Sequence, residues 1–187
     1  MSTGRLRAPA LACWLLVLAM ALAPCHARAD AATEQLIHAT GLDTVAALGM
    51  PRSLYPRAGP AYPDLVKAQA CVADRGDAAP AAILADAART IMSPSELQAG
   101  RAFFSSALGK KYRALTIWQA RADLGLDEDA PVPHFSKQEE EEVMHFLKTP
   151  AGMKLTVPLL LGVRGTPWRL YELTIQIVSA CMKAPGK

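Results

Sequence analysis

Few residues of this chain have the type and spacing that chemistry requires, and an acidic–histidine pair is the first candidate. Glu142 and His145 stand three residues apart, as carboxylate–histidine pairs do on the helices of di-iron bundles. Such a centre needs a second pair, but the positions 43 residues earlier, in a repeated segment, are Ala99 and Ala102. We therefore predict no metal site. We interpret Glu139–Glu142 as a solvated acidic helix start that the helix dipole favours.

Catalysis would depend on the histidines of residues 30–187, which are His38, His134 and His145. Each is able to act as a general base if the fold brings a partner to it. The sequence contains neither the H-E-x-x-H zinc motif nor the G-x-S-x-G nucleophile motif. We expect surface or capping roles for these histidines, and we predict no catalytic residue and no cofactor. An enzyme with an unrecognised site is kept as an alternative.

The N-terminal residues have the pattern of a signal peptide. Arg5 and Arg7 precede an apolar run over residues 10–23, and Ala27-Arg28-Ala29 supplies a small-x-small cleavage site. The run is shorter than the roughly 20 residues that span a bilayer. We predict that residues 1–29 are cleaved after Ala29. The product would be periplasmic, without a transmembrane segment after cleavage. An uncleaved membrane anchor is the alternative.

Two cysteines, Cys71 and Cys181, remain after that cleavage. An even pair in an oxidising compartment favours a disulfide. The bridge would close a loop of about 110 residues, which stabilises a fold by about 4–5 kcal/mol in the chain-entropy model. Two buried free thiols and an intermolecular bridge are the alternatives.

The charge balance gives no support for nucleic-acid binding. Without Arg5, Arg7 and Arg28 the 20 basic residues become 17, which equals the 17 acidic residues. A nucleic-acid-binding surface normally has a basic stripe, and here only Lys110, Lys111 and Arg113 cluster. We interpret that cluster as a solvated helix face. No nucleic-acid partner is predicted.

An internal repeat is the most informative feature of the sequence. Segment 93–112 aligns without a gap with segment 136–155, at a constant offset of 43 residues. Such self-similarity is typical of duplicated supersecondary units. The matched positions of the two copies are Ser93/Ser136, Glu96/Glu139, Phe103/Phe146, Phe104/Leu147, Gly109/Gly152 and Lys111/Lys154.

Each copy predicts a bent helix or a helical hairpin. The Ser-x-x-Glu start of each is a capping box, in which serine and glutamate satisfy the first backbone amides of a helix. About three turns later Pro150 disfavours helical geometry at Thr149, and Gly109 and Gly152 allow a bend. We expect a second apolar helix to resume at about Lys110 and at about Met153. The two copies would bury their aromatic faces against each other.

The rest of residues 30–187 favours helices in one domain, because strict period-two alternation is scarce. Apolar spacing predicts helices over 31–49, with a possible break at Gly41, and over 63–74, 80–91 and 167–183. The proline-rich residues 51–63 and the polar residues 126–135 are predicted to be connections. The predicted fold is all-α, a small helical bundle containing the two repeated units.

The repeat resembles a family of exported bacterial proteins, the domain of unknown function 2059. Its mark is a helix ending in an aromatic pair, followed by a Ser/Thr-Pro-x-Gly-x-Lys turn and another helix. The best match runs from Phe146-Leu147 through Thr149-Pro150 to Gly152 and Lys154; the first copy, Phe103-Phe104 to Gly109 and Lys111, lacks the proline. The resemblance covers about residues 31–160. It implies an all-helical exported domain and no reaction.

The preferred functional prediction is a non-enzymatic binding or structural module of the cell envelope. Its partner would be an envelope protein that the sequence does not identify. A carrier for a small apolar ligand is the second possibility, because the aromatic residues of the repeat could line a groove. The carrier hypothesis requires a cavity of about 300 Å³ or more between the repeat helices.

Overall fold

A computed structural model describes residues 30–55, 62–75, 79–126, 131–156 and 160–183. The predicted signal peptide lies outside these residues, as does part of the proline-rich stretch. The chain divides after Ala32. Of its first unit, Met1–Ala32, the structure describes only residues 30–32, which are helical. The second unit, Thr33–Lys187, contains all the other described residues.

All regular secondary structure in the described residues is helical, which confirms the predicted fold class. Helix α1 covers residues 30–40. The helices after it are α2 (Leu42–Leu54), α3 (Pro63–Arg75), α4 (Ala79–Ile91), α5 (Pro94–Ser105), α6 (Ala107–Asp123), α7 (Lys137–Leu147), α8 (Pro150–Lys154) and α9 (Thr166–Lys183). Among these residues no helix combines the length and the apolar character needed to cross a bilayer.

Gly41 separates α1 from α2, as the sequence predicts. Its φ of 77° is a left-handed conformation that favours glycine. A Cβ atom at this position would lie 3.1 Å from the side chains of Arg113 and Ile117 of α6. The Arg113 Nε–H also donates to the His38 carbonyl over 3.0 Å. The prediction that Arg113 belongs to a solvated face is therefore wrong, because it holds the α1–α2 break against α6.

Residues 51–54 are helical, so the prediction of a connection beginning at Pro51 is wrong. Helix α2 continues through Pro51 to Leu54. A proline inside a helix removes one backbone hydrogen bond. Here that cost is offset by tertiary burial, because Pro51 and Met50 are buried. Only residues 56–61 of this stretch lie outside the described structure.

Two apolar clusters hold the helices together. The larger cluster joins α1, α4 and the repeated segments through side chains such as Leu36, Leu84, Phe104 and Phe146. The smaller cluster joins α2, α3 and α9 through Ala47, Ala68, Val72, Val178 and Cys181.

The smaller cluster contains the disulfide. Cys71 of α3 and Cys181 of α9 are bonded, with their Cα atoms 5.8 Å apart. The predicted intramolecular bridge is thus confirmed over both of its alternatives. Because the bond joins two cysteines that are 110 positions apart in sequence, it closes most of the described chain into one loop.

Candidate functional site

The two segments related by the offset of 43 residues have matching turns. Ser106 is the N-cap of α6 and Thr149 is the N-cap of α8, and their backbones are extended, with ψ of 163° and 157°. The Ser106 hydroxyl donates to the Phe103 carbonyl and accepts from the Gly109 amide. The hydroxyl of Thr149 makes the same two bonds, to Phe146 and from Gly152. Each turn therefore caps the helix that comes after it.

The glycines lie inside the second helices, which corrects the predicted restart at Lys110 and Met153. The helices resume earlier, at Ala107 and Pro150. A Cβ atom on Gly109 would lie 2.1 Å from the Phe103 carbonyl oxygen, and one on Gly152 would lie 2.1 Å from that of Phe146. Glycine is required because two backbones approach closely there, and not because the chain needs a flexible bend.

The aromatic residues of the two segments contact one another directly. The rings of Phe103 and Phe146 are stacked, with centroids 3.9 Å apart and planes 3° apart. Phe104 packs edge-on against both rings. Phe104 and Phe146 are buried, and Phe103 and Leu147 are partly buried. These contacts form part of the larger core.

Each segment also gives a lysine to the capping glutamate of the other. Lys111 Nζ lies 2.7 and 2.9 Å from the carboxylate oxygens of Glu139. Lys154 Nζ lies 2.7 and 2.8 Å from those of Glu96. Lys111 also lies over the ring of Phe135, 4.7 Å from its centroid. The prediction of a solvated helix face is therefore wrong for Lys111 as well.

These contacts lower the pKa of both glutamates. The ammonium group of Lys154 and the Ser93 amide stabilise the charged form of Glu96, which lowers its pKa below the ordinary value. Lys111 and the Ser136 amide lower the pKa of Glu139 in the same way. Protonating either carboxylate weakens its ion pair and its capping box together.

A pH dependence of stability follows from these two lowered pKa values. A carboxylate that binds protons less readily when folded stabilises the fold above its unfolded pKa, and this contribution is lost as pH falls through the folded pKa. We expect the free energy of unfolding, from urea titrations between pH 7 and 3, to fall more steeply in wild type than in the E96Q/E139Q variant. Equal slopes for the two proteins would contradict this assignment.

The predicted pair Glu142 and His145 is not brought together with further polar groups that could bind a metal. Glu142 and His145 are exposed at an open depression beside Phe103 and Phe146. Among the described residues no group of three potential metal ligands comes together. The cavity lined by Phe104, Phe146, Leu147 and Leu155 measures about 240 Å³, and the open depression beside Phe103 measures about 620 Å³.

His38 contacts a carboxylate close to the break between α1 and α2. Its Nδ1 lies 2.5 Å from Oδ2 of Asp43, whose side chain is buried. The Asp43 carboxylate lies in the first turn of α2, just beyond Gly41. The pair does not line the cavity beside Phe104 and Phe146. We interpret it as part of the packing around the α1–α2 break.

The structure also contains an apolar groove that the sequence does not predict. It lies between α2 and α9, with one residue of α4 and the segment before α9 closing it, and its volume is about 370 Å³. We call it the α2–α9 groove. Its walls are formed by Leu42, Val45, Ala46, Gly49, Met50, Ser53, Leu84, Leu160, Leu161, Pro167, Leu170, Tyr171 and Thr174.

The α2–α9 groove offers an occupant almost no polar contact. Its lining includes no charged residue. The Ser53 hydroxyl donates to the Met50 carbonyl, and that of Thr174 donates to the Leu170 carbonyl, so both are engaged within their own helices. The remaining polar side chain is the exposed Tyr171. Binding here must therefore come from burial of apolar surface.

Exposed apolar side chains continue the groove onto the surface of α9. Trp168 is 63% exposed, and Leu161, Tyr171 and Ile175 are each about 36–42% exposed. The rings of Trp168 and Tyr171 lie 5.9 Å apart. Large exposed apolar side chains that adjoin a groove typically mark a binding surface.

No protein-family model, curated protein or solved structure matches this chain. The resemblance to the domain of unknown function family stays a prediction.

Proposed function

We propose that this protein is an exported, non-enzymatic binding module whose site is the α2–α9 groove. One observation carries the proposal: the groove has apolar walls, its serine and threonine hydroxyls are engaged, and no charged residue lines it. Apart from the exposed Tyr171 hydroxyl it offers no polar group for chemistry, but it can bury an apolar molecule. The paired repeat segments form the scaffold rather than the site.

The size of the groove favours a small apolar occupant. Ligand sites commonly measure about 300–1,000 Å³, and the groove lies near the lower limit. A dry apolar cavity of about 150 Å³ is enough for benzene. The groove therefore suits a single alkyl chain or a compound of two fused rings. We therefore propose the α2–α9 groove, rather than the repeat helices that the sequence suggests, as the site of a carrier function.

Export is supported by two features of different kinds. The first is the charged, apolar and small-residue pattern of residues 1–29. The second is the Cys71–Cys181 disulfide, since such bonds persist in oxidising compartments. A periplasmic location and a common origin of the two repeat segments belong to this proposal. The common origin is supported by the matching turns and by the reciprocal lysine–glutamate pairs.

Gly49 provides a direct test of the groove. It lines the groove, and a Cβ atom there would meet nothing within 4 Å. We expect G49F to place a ring in the groove and to weaken binding of the fluorescent apolar probe N-phenylnaphthylamine by about tenfold or more, since tenfold corresponds to only about 1.4 kcal/mol. G49A is the matched control and should bind the probe as wild type does.

Fluorescence titration of wild type, G49A and G49F measures this effect, with circular dichroism to verify that each variant is folded. Equal probe affinity in wild type and a folded G49F would show that the probe binds elsewhere. Absence of probe binding to wild type would remove the proposed function.

A further inference from the structure

The α2–α9 groove runs lengthwise along α2, and Leu42 lies at one end of it. The α2 residues that line the groove have the three- and four-residue spacing of a single helix face, from Leu42 to Ser53. These two residues are separated by about 16 Å along the helix axis, at the rise of about 1.5 Å per residue. A volume of about 370 Å³ makes the groove narrow for this length. Its shape therefore favours a linear chain as the occupant.

A second apolar space lies beyond Leu42. It is the cavity of about 240 Å³ beside Phe104 and Phe146. Within the part of the chain that the structure describes, Leu42 is the single residue that lines both this cavity and the α2–α9 groove. It is 5% exposed, and it belongs to the larger core together with Leu84 of the groove and Leu155 of the cavity. Leu42 therefore forms a partition between the two spaces.

The backbone of Leu42 is held in place at the break between α1 and α2. Its amide donates to the Thr40 hydroxyl over 3.2 Å, and that hydroxyl donates to the Ile37 carbonyl over 2.6 Å. Gly41 between them has the left-handed φ that makes the break. None of these features depends on the Leu42 side chain. A substitution at position 42 therefore changes the size of the partition and keeps the bonds that hold the break.

The cavity beyond Leu42 suits the end of an apolar chain. No charged residue is among the described residues that line it. The hydroxyls of Thr40, Thr116 and Thr156 each donate to a backbone carbonyl three or four residues earlier, so they are engaged within their own helices or turns. The remaining polar side chain of the lining is Tyr112. A chain that passed Leu42 would thus meet mainly carbon atoms.

From this arrangement we infer that the ligand of the α2–α9 groove is a linear alkyl compound and that Leu42 is the residue that determines its chain length. Each methylene group adds affinity while it is buried along the groove, and the gain ends where the chain reaches Leu42. The inference rests on the proposed function, because it names the chemical class of ligand for the same groove.

A series of linear alkanols from hexanol to tetradecanol measures where the gain ends. Each alkanol displaces N-phenylnaphthylamine from the full chain in a fluorescence titration. In wild type we expect affinity to rise about fourfold per methylene group and then to level off. In L42A the rise should continue for about three more methylene groups, because the substitution removes three carbons of the partition. L42F adds bulk at the same place and should end the rise at a shorter chain.

L155A is the matched control. It makes the same leucine-to-alanine change in the cavity, but Leu155 is not among the residues that line the groove. Its chain-length limit should equal that of wild type, because the partition remains. Circular dichroism verifies that each variant is folded, and L42F tests the inference by itself if L42A does not fold. As a second readout, tetradecanol should shift the methyl resonances of Leu147 in L42A and leave them unchanged in wild type.

Other outcomes distinguish this inference from the proposed function. The same chain-length limit in wild type, L42A and L42F would overturn the inference, as would a rise without a limit in wild type. A limit that L155A extends as far as L42A does would also overturn it. In each of these cases, alkanol binding that G49F blocks would leave the proposed groove standing. Absence of alkanol binding to wild type would remove the groove and the inference together.

Discussion

Removal of the disulfide is expected to lower the free energy of unfolding by about 4–5 kcal/mol, the largest effect of any change considered for this protein. The bond joins residues 110 positions apart, and in the chain-entropy model a loop of that length restricts the unfolded chain strongly. Small domains have total stabilities of about 5–15 kcal/mol. We therefore expect the C71A/C181A variant to be only marginally stable. Alanine is chosen rather than serine because Cys181 is buried, and serine would bury a hydroxyl there.

Urea unfolding of wild type, of C71A/C181A and of wild type kept reduced by dithiothreitol measures this contribution. The cysteine-free and reduced forms should agree with each other, because both lack the same cross-link. Unfolding midpoints equal to that of the oxidised protein would contradict the assigned role of the bridge.

Substitution of Gly152 by alanine is expected to be the most damaging single-methyl change, at about 3 kcal/mol. The added Cβ atom would lie 2.1 Å from the Phe146 carbonyl oxygen and 2.7 Å from the Leu147 Cα atom. Both are backbone atoms, so a side-chain rotation cannot relieve the contact. The turn that starts α8 must move, and with it the ion pair of Lys154 with Glu96.

Substitutions at two other glycines, Gly109 and Gly49, test whether close backbone approach causes this loss of stability. G109A should cost a similar amount, because its Cβ atom would meet Phe103 and Phe104 at 2.1 and 2.6 Å. G49A lies in open space within α2 and should instead raise stability by about 0.5–1 kcal/mol, since alanine favours a helix over glycine. Denaturant midpoints of the three variants test the pattern. Similar losses at all three positions would mean that close backbone approach is not the cause.

The sequence is most informative where local chemistry determines structure. The capping boxes at Ser93 and Ser136 and the stop before Pro150 depend on residues within a few positions of each other, and all three are observed. The break at Gly41 is of the same kind. The disulfide can be named from the sequence only because Cys71 and Cys181 allow a single intramolecular pairing.

The sequence predictions are wrong where contacts with residues far away in the sequence determine the local structure. Local composition predicts that a connection starts at Pro51, but burial in the tertiary structure keeps this residue inside α2. The charge pattern predicts that Lys111 and Arg113 are solvated, yet their partners are Glu139 and the His38 carbonyl, 28 and 75 residues away. Local periodicity contains no information about such partners.

The α2–α9 groove cannot be predicted for the same reason. Its walls come from segments more than 100 residues apart, such as Val45 of α2 and Leu170 of α9. Each segment is apolar in the sequence, and an apolar helix face does not reveal whether it packs fully or leaves a space. The exposed aromatic residues Trp168 and Tyr171 are the feature that could indicate a surface at this groove. Apolar periodicity alone, however, places Tyr171 beside the buried side of its helix.

The most direct test of the central claim is to locate an apolar ligand by methyl nuclear magnetic resonance. Decanol should be added to protein labelled at the methyl groups of leucine and valine. We predict shifts at Val45, Leu160 and Leu170, which line the α2–α9 groove, and no shifts at Val143 and Leu155 in the region of the repeats. Shifts confined to Leu147 and Leu155, or none at all, would contradict binding in this groove.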